Sequence, residues 1–211
     1  ETGLLCLENA LSDGTVMSLE EMKELYETAH EHNIPVHLDG ARIFNAATYL
    51  NVEAKEIAKY ADSVMFCVSK GLCSPVGSLL CGSKEFIKKA RKMRKILGGG
   101  MRQAGFLAAC GIISIEKMVD RLIEDHDNAK YLARKLNEIE GFSVDLDKVQ
   151  INMVFCNVNR ENFDFVEFAE KLFEKGIKTN PGEKGVIRFV TNKDVTREDI
   201  DYTIQCIKEV L

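Results

Sequence analysis

The stretch Ser63-Val64-Met65-Phe66-Cys67-Val68-Ser69-Lys70-Gly71-Leu72 decides the reading of this chain. It is an apolar run that ends in a lysine held against a glycine. A short apolar run bounded in this way reads as a buried strand. A lysine at the mouth of such a strand is costly to keep charged. The neutral amine is the form that attacks an aldehyde, so Lys70 is a candidate for Schiff-base chemistry. The competing reading is an ordinary surface lysine after a strand.

A second apolar run, Ile34-Pro35-Val36-His37-Leu38-Asp39-Gly40-Ala41-Arg42, also ends in a charged cluster. Asp39 lies 31 residues before Lys70. An aspartate at one strand end and a lysine at another is the pairing expected around pyridoxal phosphate. There the carboxylate keeps the pyridine nitrogen protonated. Asp39 could equally cap the segment that starts at Ala41, a task aspartate performs well. His37 precedes Asp39 by two residues, so on a strand both point to one face. It could support Asp39 through a hydrogen bond, or be a satisfied core histidine.

Working outward, 4–8 reads as a strand and 9–15 as a loop rich in Asn, Ser, Asp and Gly. Ser18 with Glu21 three residues later is a capping-box signature for a helix over 18–32. His30 and His32 fall at its C-terminal end, where a cation suits the helix dipole. Short helices are predicted over 43–50 and 53–60. The order β-α-β-α-β favours a mostly parallel sheet. Residues 74–83 hold a turn and another strand so soon after Lys70 that the new strand must be antiparallel. Ser83 opens a basic helix to about residue 97, and Gly98-Gly99-Gly100 breaks it. One long, kinked helix is predicted from 103 to 120 and onward to 139. Beyond Gly141, short strands at 142–145, 153–157 and 185–191 alternate with helices over 163–175 and 197–210. The predicted fold class is α/β, with a large domain over 1–120 and a small α+β domain over 121–211.

The net charge of −5 argues against nucleic acid as the default partner. The basic run Lys84, Lys88, Lys89, Arg91, Lys92, Arg94, Lys95 has no interleaved aromatic residues and reads as a solvated helix face. No apolar segment is long enough to span a bilayer. The seven cysteines are scattered and form no Cys-x-x-Cys pair, so a metal site is unsupported. That usage fits a reduced, cytoplasmic protein. Gly3-Leu4-Leu5-Cys6-Leu7-Glu8 reads as a core strand with no lead-in, as if the chain begins inside a domain.

Three ordered segments carry a resemblance. His37-Leu38-Asp39-Gly40-Ala41-Arg42 resembles the HxDGAR segment of the low-specificity L-threonine aldolases. Ser69-Lys70-Gly71-Leu72 with Pro75-Val76-Gly77-Ser78 resembles their lysine segment, and Gly98-Gly99-Gly100-Met101-Arg102-Gln103-Ala104-Gly105 their GGGMRQxG segment. Glu124-Asp125-His126 and Val186-Ile187-Arg188-Phe189-Val190-Thr191 also fit. The similarity is to the C-terminal portion of such proteins; their phosphate loop and ring-stacking histidine have no counterpart in these residues. Glu8-Asn9-Ala10-Leu11-Ser12 departs from the Glu-Asn-Thr-His form of some relatives, which would alter specificity if those side chains touch the substrate hydroxyl.

The resemblance implies the fold of pyridoxal phosphate-dependent transferases, with a partial large domain followed by a small one. It also implies cleavage of L-threonine or L-allo-threonine to glycine and acetaldehyde. Lys70 would bind the cofactor aldehyde and Asp39 its pyridine nitrogen. Arg188 would hold the substrate carboxylate, since a guanidinium matches a carboxylate in a bidentate fork. Arg42 would share that task or contact the cofactor ring. Arg102 would reach the cofactor phosphate of a neighbouring subunit, with Lys95 beside it, which implies a homodimer or homotetramer. The competing readings are a β-eliminating lyase or aminotransferase of the same cofactor group, and a non-catalytic scaffold piece.

Overall fold

The computed structural model describes residues 2–182 and 184–211. The chain divides into two compact units, one of Glu1–Ser12 with Val16–Leu122, the other of Asp13–Thr15 with Ile123–Leu211.

In the first unit the strands β1 (Leu5–Glu8), β2 (Val36–Asp39), β3 (Ser63–Cys67) and β4 (Ser78–Gly82) form one sheet in the order β1-β2-β3-β4. The first three are parallel and β4 runs antiparallel to β3. Alternation along the strands sorts their side chains by face. Leu7, Val36, Leu38 and Val64 are buried on one face. Glu8, His37, Asp39 and Met65 are only half-buried on the other. Helix α1 (Leu19–Glu31) starts at the expected capping box, with the Glu21 amide donating to Ser18 Oγ at 3.2 Å and the Ser18 amide to Glu21 Oε2 at 2.8 Å. Its Met22 and Ala29 are buried. His30 near its end pairs with Asp62 at 3.0 Å, and that carboxylate also accepts the Val36 amide at 2.7 Å. Helices α2 (Ile43–Leu50) and α3 (Ala54–Ala58) follow β2, and α4 (Lys84–Ile96) and α5 (Gly105–Lys117) follow β4. No residue of α4 is buried, in keeping with its basic sequence.

The long helix expected from 103 to 139 is two helices, α5 and α6 (Leu122–Leu136). Between them the Leu122 amide donates to Val119 O at 3.0 Å, and the Leu122 side chain is fully buried against Val68 and Leu72. Burying a leucine is worth about 1.5–3 kcal/mol, more than the turn of helix forgone to aim it there.

The second unit carries an antiparallel sheet of β5 (Phe142–Ser143), β6 (Met153–Val158) and β7 (Val186–Val190). With it go α6, α7 (Phe165–Glu174) and α8 (Arg197–Val210). One apolar cluster joins these elements, with Leu136, Leu172, Ile187 and Ile207 at most 1% exposed. Asp164 caps α7 and Thr196 caps α8, the latter in a second capping box with Asp199. Gly14, at φ +87°, belongs to this unit, where a Cβ would stand 3.4 Å from Met153 Cβ. His126 on α6 is 1% exposed. Burial lowers its pKa to about 4, because the imidazolium would lose its hydration there.

Candidate functional site

In an open parallel sheet, ligands bind beyond the carboxyl ends of the strands. In the first unit β1 and β2 end together, and the neighbouring β3 runs two residues further. Glu8 is in register with Asp39, and Asp39 with Met65. The end of β2 is tied to both neighbours, since the Asn9 amide donates to Asp39 O at 3.1 Å and the Gly40 amide to Met65 O at 2.7 Å. A Cβ on residue 40 would lie 2.9 Å from Met65 O and 3.1 Å from Ile43 Cβ, so only glycine admits this approach. It sets the turn that presents Asp39.

Asp39 is half-buried, and its Oδ1 accepts the Ala41 amide at 3.0 Å. That bond orders the turn but does not cap α2, whose N-cap position is Arg42. Arg42 is half-buried beside it in sequence. His37 turns to β3: its Nδ1 lies 2.8 Å from Ser63 Oγ, so its support for Asp39 is not a direct hydrogen bond.

Lys70 follows β3 and is exposed. The desolvation argued from its apolar run is therefore not present, because the strand ends at Cys67 and the lysine lies three residues beyond. What is built with care is the loop that carries it. The Val68 amide donates to Gly77 O at 3.1 Å, Ser74 N to Val68 O at 2.9 Å and Cys73 N to Lys70 O at 2.9 Å. Buried Ser114 of α5 donates to Leu72 O at 2.7 Å and lies 2.7 Å from Ser74 Oγ. A Cβ on Gly71 would meet Leu122 Cδ2 at 2.8 Å, so the residue after the lysine must be small. Ser69 is spent on Gly77 O at 3.3 Å. Neither Lys70 nor Asp39 has an ion-pair partner among the described residues.

Lys95 sits in the last turn of α4, and Arg102 three residues before α5; both are exposed. Arg188 lies in the second unit at the middle of β7, exposed between buried Ile187 and Phe189. The cost of burying a charge, raised by its apolar strand, is thus avoided through alternation. It has no ion-pair partner among the described residues and lines a groove of about 570 Å³ with Thr179, Asn180, Thr191 and Tyr202. The pattern of the sequence did not reveal Ser114. A serine inside an apolar helix gives no signal until the loop it holds is known. Nor did it reveal that Glu8 stands beside Asp39, which only the strand register shows.

Residues 1–159 match the beta-eliminating lyase family. The chain belongs to that family. It is 39% identical over 213 residues to low-specificity L-threonine aldolase 1 of Arabidopsis thaliana, covering 100% of this chain and 60% of that protein. It is 44% identical over 199 residues to the low specificity L-threonine aldolase of Escherichia coli strain K12, covering 94% and 57%. The chain thus spans about 60% of the length of these curated relatives. Among solved structures, the threonine aldolase of Leishmania major superposes with a TM-score of 0.75 at 18% identity, over 99% of this chain and 61% of that one. A PLP-dependent aminotransferase from Streptococcus suis superposes with a TM-score of 0.77 at 17% identity, over 100% and 57%. At those identities the likeness shows the fold, an α/β architecture with a mostly parallel sheet.

Proposed function

We propose that the protein containing this chain is a pyridoxal phosphate-dependent aldehyde-lyase that cleaves L-threonine or L-allo-threonine to glycine and acetaldehyde. One observation carries the reading. Asp39 ends β2, and Lys70 follows three residues after the neighbouring parallel strand β3; both, the two groups that the cofactor requires, are without ion-pair partners among the described residues. The names and identities of the relatives support it.

The residues present fit the group. Lys70 is an open amine for its aldehyde, and Asp39 offers a carboxylate for its pyridine nitrogen. When bound, the cofactor supplies a sink for the electrons left at Cα as the Cα–Cβ bond breaks. The chain's own residues do the rest. Asp39 holds the proton on the ring nitrogen. Arg188 and Arg42 are the candidates for the substrate carboxylate, since the paired N–H donors of a guanidinium would fix which bond at Cα is aligned for cleavage. Arg102 and Lys95 supply positive charge for a phosphate held by a neighbouring copy, in a homodimer or homotetramer. The same reading makes 1–120 part of a large cofactor-binding domain and 121–211 a small C-terminal domain. The cysteines, all free, fit a cytoplasmic setting. Among the described residues no helix is long and apolar enough to cross a membrane.

The test is chemical. Mixed with pyridoxal phosphate, the protein should develop the visible band of a lysine-bound cofactor. Borohydride should then fix the label on the peptide containing Lys70, and threonine should yield glycine and acetaldehyde. Lys70→Ala should lose the band, the label and the turnover together. A borohydride-fixed label that persists in Lys70→Ala would sink the assignment.

A further inference from the structure

The end of β1 places a second carboxylate at the same edge. Glu8 and Asp39 are in register on parallel strands, so their side chains leave the sheet on one face. Neighbouring strands stand about 4.8 Å apart. Both residues are half-buried, and neither has a cation within ion-pair distance among the described residues. Glu8 makes one hydrogen bond, its Oε2 accepting the Ser12 amide at 3.0 Å. That bond needs an acceptor oxygen but not a charge. Like charges on neighbouring strands repel, and partial burial weakens the screening of that repulsion. A fold that needed only the loop contact could have used glutamine.

We propose that Glu8 is a positioning residue of the site, a second carboxylate that acts through Asp39 to raise the negative potential at the end of β2 and so favour a cationic ligand there. The inference rests on the reading of Asp39 as the partner of a protonated pyridine. Glu8 does not itself transfer a proton or touch the reacting bond. It increases the advantage of the protonated over the neutral ring, and of the protonated over the neutral lysine–cofactor link.

The experiment compares the unsubstituted protein with Glu8→Gln and Glu8→Ala. Glutamine keeps an oxygen for the Ser12 amide and removes the charge; alanine removes both. In each, the visible band of the lysine-bound cofactor is titrated with pH, and the thermal midpoint of the cofactor-free protein is measured. With Glu8→Gln the spectral midpoint should fall by about one pH unit, the size expected when one nearby charge is lost. The cofactor-free protein should be as stable as before or more so, because one of two like charges in register on neighbouring strands has gone. Glu8→Ala should show the same spectral shift with lower stability. An unchanged spectral midpoint in Glu8→Gln overturns the inference. So does a shift confined to Glu8→Ala, since Glu8 would then act only by holding the loop. The absence of any visible band in the unsubstituted protein would overturn the cofactor reading itself, and so separates the two failures.

Discussion

The edge of the first sheet and the interior of the second unit are built on opposite principles. In the second unit, three helices and three strands bury one continuous apolar cluster, and single side chains such as Leu172 are fully enclosed. At the strand ends of the first unit the informative side chains are half-buried or exposed, and hydrogen bonds to the backbone do the holding. Packing makes one region stable. The other holds Lys70 and Asp39, which have no ion-pair partner among the described residues, by backbone hydrogen bonds rather than by packing.

The largest stability effect should come from the packed region. Leu172→Ala removes a fully enclosed side chain and should cost the second unit about 2–5 kcal/mol. Hydrogen exchange of β6 and α7 peptides should report it. A loss below about 1 kcal/mol would mean that this core yields as easily as the site edge, and the contrast would fail.

Acid should attack the same interior. His126 has a folded-state pKa of about 4, below its ordinary value of 6.5, so the unfolded chain binds the extra proton first. Its share of stability is fully present above about pH 6.5 and is lost as pH falls towards 4. The whole effect is at most about 3 kcal/mol. Denaturant melts across that window should show the slope, and His126→Gln should remove it whatever else it does.

The smallest of the three effects sharpens the account of the site edge. Ser114→Ala leaves Leu72 O and Ser74 Oγ without their buried partner. The expected loss is about 1–3 kcal/mol, local to the loop. Faster exchange of the Cys73 and Ser74 amides, with the second unit unchanged, is the result to look for. Equal exchange rates would show that the lysine loop is held by something other than this hydroxyl.

Much of this was legible in the chain itself. Capping signals at Ser18, Ser83 and Thr196 located three helix starts, because a cap is a contact between residues a few positions apart. The β-α-β-α-β order gave the parallel sheet, and the short span after Lys70 gave the antiparallel β4. The division of the 103–139 helix was not legible. Both halves have helical composition, and what separates them is the burial of Leu122 against Val68 and Leu72, 54 and 50 residues earlier.

By itself the sequence nominated candidate residues for chemistry and located the strands near them. Local periodicity, caps and motif spacing are properties of neighbours in the chain. The tertiary structure alone decided that Lys70 is exposed, that His37 turns to Ser63, that Ser114 pins the lysine loop, and that Glu8 lies beside Asp39. The last three depend on strand register or on contacts between residues at least 26 positions apart. Such contacts are set by the balance of burial and hydrogen bonding over a whole unit, which no local pattern encodes.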